Sequence, residues 1–172
     1  MEKNILVAYA SKRGATAEIA EKIGEVVRQN GLQADVLPVN KVRDLTPYRA
    51  VVLGSAVYIG LWRRGAVKFL RENENRLSEI HVWLFSSGPT GSGDPLEITE
   101  GWCFPESLRP LIERIQPRDI TCFGGKLDLK TMNFIEKMII NKVKAPVGDF
   151  RNWEAITKWA KNIGGSLFRR GD

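Results

Sequence analysis

Short apolar runs alternate along this chain with stretches whose apolar residues recur at helical spacing. Ile5-Leu6-Val7-Ala8-Tyr9 is apolar on both faces, as a strand in the middle of a parallel sheet must be. Thr16, Ile19, Ala20, Ile23, Val26 and Val27 then follow a helical period, and Asn30-Gly31 closes that helix. Ala34–Leu37, Ala50–Gly54, His81–Phe85 and Asp119–Phe123 read as four further strands. Helices are predicted around Ala66–Glu72, Glu106–Ile115, Met132–Val143 and Trp153–Ile163, and Ser86–Pro105, rich in Gly, Ser and Pro, as a long loop. Strands separated by helices imply an α/β fold: an open five-stranded parallel sheet, order 2-1-3-4-5, with helices on both faces. No repeat, low-complexity tract or linker interrupts the pattern, so residues 1–172 read as one domain.

Ligands of such sheets bind beyond the carboxyl ends of the strands, beside the point where strand order reverses. The loops after strands one, three and four are therefore the places to look for chemistry. The first is Ser11-Lys12-Arg13-Gly14-Ala15-Thr16, opening a helix. Hydroxyls at both ends, a glycine between them and outward-facing amides at a helix N-terminus suit a phosphate. The same hydroxyls could equally serve as helix caps. The loop has neither the Gly-rich dinucleotide fingerprint nor the Walker Lys-hydroxyl pair, which disfavours NAD and nucleoside triphosphates.

Tyr9–Thr16 resembles the phosphate loop of flavodoxins, a Ser/Thr-x-Thr-Gly-x-Thr pattern, with Arg13 standing where threonine is common. Gly54-Ser55-Ala56-Val57-Tyr58-Ile59-Gly60 resembles their second flavin loop, and Ser86-Ser87-Gly88-Pro89-Thr90-Gly91 their third. Phe123–Leu127 and Gly148–Trp153 are similar to a flavodoxin-domain subgroup related to menaquinone-dependent protoporphyrinogen oxidase. The resemblance implies FMN as cofactor. Ser11, Lys12, Arg13, Gly14, Ala15 and Thr16 would hold its phosphate. Ala56, Val57, Tyr58, Ile59 and Gly60 would line the isoalloxazine, with Tyr58 stacking and the Ile59-Gly60 peptide near N5. Ser87, Gly88, Pro89 and Thr90 would present amides to the pyrimidine edge. Trp62 could supply a second stacking face or cover the following helix.

The function implied is that of an FMN-binding oxidoreductase or electron carrier. A quinone-coupled dehydrogenase acting on a porphyrinogen is the first alternative, and a redox-inactive binding module on the same fold is the second. No side chain is nominated as acid, base or nucleophile, because a flavin carries the redox chemistry itself. His81 opens a strand, Ser55 sits in no nucleophile elbow, and Cys103 and Cys122 lack the spacing of a redox pair. Response-regulator receivers share the strand order but need carboxylates where this chain has Ser11 and Ser55.

Charge adds a partner question. Of 172 residues 43% are hydrophobic and 27% charged, with a net charge of +6. Thirteen Lys and Arg face thirteen Asp and Glu through residue 108, and thirteen face seven beyond it, so the surplus lies in the last third. No basic stripe with interleaved aromatics marks a nucleic-acid binder. No run of 18 apolar residues suggests a membrane span, and since Met1-Glu2-Lys3 leads straight into a short apolar run, no secretory signal is expected. A cytoplasmic location is expected, with a redox protein or quinone as partner. In the Met132–Val143 helix, Met132, Ile135, Ile139 and Val143 form a stripe suited to the sheet. Phe134 and Met138, flanked by Lys137 and Lys142, form a second stripe, expected to meet a peripheral membrane face or a second subunit.

Overall fold

A computed structural model of the chain describes residues 4–168. Chain order runs β1 (Asn4–Ala10), α1 (Ala15–Gln29), β2 (Ala34–Pro38), β3 (Tyr48–Tyr58), β4 (Leu61–Trp62), α2 (Arg64–Glu72), α3 (Glu74–Glu79) and β5 (His81–Ser87). It continues through α4 (Pro95–Ile98), α5 (Arg109–Ile115), β6 (Asp119–Phe123), β7 (Lys126–Leu127), α6 (Phe134–Val143), β8 (Gly148–Asp149) and α7 (Trp153–Phe168). The five long strands pair in parallel as β2-β1-β3-β5-β6, which is the predicted 2-1-3-4-5 order.

Alternation within each strand feeds two cores. Ile5, Val7, Val52 and Phe85 face α1 and α7, while Leu6, Ala8, Val51 and Leu84 face α2, α3 and α5. Both faces are covered, which is why these strands read as unbroken apolar runs. Phe85, Phe123 and Trp159 pack as a tilted and edge-on trio, with centroids 5.6–6.0 Å apart. Ala10, Ser55 and Ser86 lie in one register row across β1, β3 and β5. That row sets the three loops side by side at one sheet edge.

Between β6 and α7 the chain leaves the sheet. β7 and β8 form a two-stranded antiparallel ribbon, and α6 lies between them. The predicted helix from Met132 begins at Phe134, because Asn133 caps it. Its expected inward stripe holds for Met132 and half-buried Ile139 but not for the other two. Ile135 and Val143 are exposed, whereas Met132, Glu136 and Ile140 are buried. The buried set follows an i, i+4, i+8 row, and it includes a carboxylate that apolar periodicity alone passes over. Phe134 and Met138 are exposed, as the second stripe requires.

Candidate functional site

The first loop leaves β1 and enters α1 through Gly14, whose φ of +89° is left-handed and favours a residue without Cβ. Ser11 Oγ accepts the Gly14 N–H at 3.0 Å, so the Ser11 hydroxyl proton stays available to donate outward. No side chain caps the first turn of α1. Thr16 is buried at the floor of the loop. Lys12 and Arg13 both donate to the Glu136 carboxylate on α6, and Arg13 Nε reaches the Thr131 carbonyl at 3.1 Å.

The second loop is a hairpin. Tyr58 pairs with Leu61 across Ile59 and Gly60, both at positive φ (50° and 68°), the geometry of a type I′ turn. Trp62 is buried and its Nε1 donates to Ser86 Oγ at 2.8 Å, so it anchors the hairpin rather than offering a stacking face. Ser55 Oγ accepts the Arg63 N–H at 3.0 Å and ties down the return strand. Half-buried Tyr58 carries Lys12 Nζ 4.9 Å from its ring centroid, a cation–π contact.

The third loop is pulled tight against its neighbours. A Cβ on Gly88 would lie 2.8 Å from Val57 Cβ, so only glycine permits this approach. The Gly88 N–H is engaged by the Phe123 carbonyl at 3.3 Å, and the Pro89 carbonyl accepts the Gly125 N–H at 2.8 Å. Proline has no N–H. The expectation that Gly88 and Pro89 both present amides to a ligand is therefore corrected.

Ser11, Lys12, Arg13, Ala15, Thr16, Ala56, Val57, Tyr58, Ser87 and Gly88 line one cavity. Gly14 shapes it from the turn behind. Ile59, Gly60, Pro89 and Thr90 do not line it. Missing from the sequence reading are Arg63 and the wall supplied from beyond β6, above all Lys126, Met132, Glu136 and Ile140. The enclosed space is about 90 Å³, small beside the roughly 300–1,000 Å³ of ordinary ligand pockets. Met132, Glu136 and Ile140 form one wall of it.

The electrostatics favour an anion. Lys12, Arg13, Arg63 and Lys126 line the cavity against one acid, Glu136. Hydrogen bonds from Lys12, then Arg13, then the Asn133 amide hold the Glu136 carboxyl down to about 2. Behind the loop, the Arg151 side chain is only 4% exposed. It donates to the Ala15 carbonyl at 3.2 Å and to Asp149 at 2.7 Å, and pairs with Glu18. Asp149 is held below the usual carboxylate range chiefly by its hydrogen bonds from Arg151. Burial pushes the Cys122 thiol up to about 12 and raises that of Cys103, which disfavours the thiolate at both.

The loop chemistry fits the phosphate end of FMN on this structure's own terms. Lys12 and Arg13 already hold the two oxygens of a carboxylate, and the adjacent N-terminus of α1 carries no side-chain cap.

A family model described as a flavodoxin domain matches residues 6–152. The quinone-dependent protoporphyrinogen IX dehydrogenase of Escherichia coli K12 is 25% identical over 83 residues, 47% of this chain and 46% of that protein. The match thus spans about half the length of such curated relatives. A flavodoxin from the domain Archaea superposes with a TM-score of 0.63 at 15% identity, covering 95% of this chain and 98% of that one. Rubredoxin oxygen:oxidoreductase from Desulfovibrio gigas gives 0.62 at 13% identity, covering 97% of this chain and 36% of that one.

Proposed function

The chain belongs to the flavodoxin-domain family, and on that premise we propose that it binds FMN between its three loops and transfers electrons. The observation that carries this reading is the carboxylate held by Lys12 and Arg13 beside the N-terminus of α1. It is an anion held by the two cations that would meet the phosphate.

FMN would supply one- and two-electron redox chemistry there. Lys12, Arg13 and the first-turn amides of α1 would bind the phosphate, with Ser11 and Thr16 donating their hydroxyl protons. Tyr58 and Val57 would flank the ring from the second loop. Met132 and Ile140 would keep water from the cavity. No group of this chain is assigned a proton transfer. The test is the flavin released when the purified protein is denatured. FMN supports the reading, and a protein that is empty and cannot be reconstituted with FMN defeats it.

The dehydrogenase match favours one narrower reading, a quinone-coupled oxidation of a porphyrinogen. Turnover of protoporphyrinogen IX by the FMN-loaded protein with a quinone acceptor separates it from a simple electron carrier.

A further inference from the structure

Among the described residues, the outer face of α6 carries three large apolar side chains that are mostly exposed. Phe134 is 76% exposed, Ile135 68% and Met138 56%, and the three share one side of the helix. Core packing does not account for them, because the opposite face of the same helix already faces the cavity with Glu136 and Ile140. An apolar cluster of this kind on a short helix marks a contact surface.

The charges around it name the occupant. Lys137 and Lys142 lie on the helix, with Lys130 before it and Lys144 at its end, and all four are exposed. Between residues 129 and 147 the only acid is Glu136, which is buried against Lys12 and Arg13. The face therefore presents apolar side chains among exposed lysines, and the acids that flank this segment are already engaged, Asp128 by the Lys130 N–H and Asp149 by Arg151. A second copy of the chain, docked symmetrically, would set one group of lysines against another without acids to offset them. A bilayer with anionic headgroups meets both features: the acyl boundary takes the apolar side chains and the headgroups pair with the lysines. Among the described residues no helix is long and apolar enough to cross a membrane.

We propose that the outer face of α6 docks the protein on anionic phospholipid surfaces. The docking is independent of what fills the cavity, since it uses side chains on the opposite face. Co-sedimentation with vesicles of phosphatidylcholine alone, and of phosphatidylcholine with phosphatidylglycerol, tests it. Binding to the anionic vesicles at least about tenfold stronger, reversed by high salt, is expected. The double variants Phe134→Ser/Met138→Ser and Lys137→Glu/Lys142→Glu should each lose that binding while keeping the wild-type melting temperature, because all four side chains are exposed. Equal binding to neutral and anionic vesicles, no binding to either, or full binding by both variants would overturn the proposal. So would a concentration-dependent dimer that the Phe134/Met138 variant abolishes in a protein that ignores vesicles, which would assign the face to a second copy.

Discussion

Glu136 and Arg13, 123 positions apart in sequence, meet as an ion pair at the loop that opens α1, and Lys12 completes the contact from the other side. The same carboxylate closes a capping box, accepting the Asn133 N–H at 3.0 Å while Asn133 accepts the Glu136 N–H at 2.9 Å. One side chain thus starts α6 and fastens it to the first loop. A phosphate arriving at Lys12 and Arg13 competes with it. Glu136→Gln keeps an oxygen for the capping box but removes the competing charge. FMN should then bind about two- to fivefold more tightly, the scale of one screened charge contact. Riboflavin, without a phosphate, should bind unchanged. Fluorescence titration of the apoprotein with both flavins measures the two affinities, and equal changes would show that Glu136 acts only through α6.

The same pair makes the apoprotein acid-sensitive in a defined window. The Glu136 carboxyl lies near 2 when folded, against an ordinary value of 4.5. A depressed carboxylate contributes its full stabilisation above its unfolded pKa, and that contribution falls away as pH drops toward the folded one. The melting temperature of wild-type apoprotein relative to Glu136→Gln should therefore be constant above about pH 5. The wild-type advantage should shrink from there toward pH 2. A difference that keeps growing as pH falls would reverse the sign of the argument.

Thr16 is buried at the floor of the first loop and lines the cavity. Valine conserves its shape but cannot donate a hydrogen bond. If the hydroxyl meets a phosphate, Thr16→Val should weaken FMN binding by about ten- to hundredfold, the cost of a hydrogen bond to a charged group. Riboflavin binding should hardly change. Equal losses for the two ligands would make Thr16 a structural residue of the turn.

The central strands β1, β3 and β5 were legible because each is an apolar run on both faces, and the three loops because ligands of such sheets bind beyond the carboxyl ends of the strands, where the row Ala10–Ser55–Ser86 sets them side by side. The short elements were not. β4 and β7 are two residues long, too brief for any period to register, and α3 is a single polar turn and a half on which only Leu77 is buried. The wall from beyond β6 was hidden for another reason. Glu136 interrupts an apolar pattern, and the pattern rule assigns a charged position to the solvent side. Its two cationic partners, more than 120 residues away, offset the cost of burying its charge. A sign was present in the sequence: Asn133 three residues before Glu136 is a capping-box spacing, which fixes where the helix starts and hence which residues share a face.

Ile59 holds φ at +50° while 70% exposed at the tip of the hairpin. A β-branched residue there crowds its own carbonyl at a cost of roughly 1–2 kcal/mol, and so exposed a side chain recovers little by packing. Ile59→Asn, which tolerates the left-handed region, should stabilise the protein by about 1 kcal/mol, raising the melting temperature by about 2–4 °C. An unchanged or lower melting temperature would mean that Ile59 is supported by contacts its exposure does not reveal.

Charge lining the cavity also sets the expected redox behaviour. In flavodoxins as a family, an acidic surface disfavours the second negative charge taken up by the ring and makes the second reduction hard. Here Lys12, Arg13, Arg63 and Lys126 outnumber Glu136 around the cavity. The first 108 residues carry no net charge, and charges more than about 8–10 Å away are largely screened at physiological salt. The local cations therefore decide, and the second couple should lie less negative than in an acidic flavodoxin. Arg63 isolates the effect, since it lines the cavity without pairing with Glu136 as Lys12 and Arg13 do. Arg63→Gln should move the second couple to more negative potential, because it removes one cation, while Glu136→Gln should move it the opposite way. Photoreduction against a reference dye measures the couples in all three proteins. Shifts of the same sign in the two variants would show that hydrogen bonding and ring packing, rather than the cavity's net charge, tune the flavin.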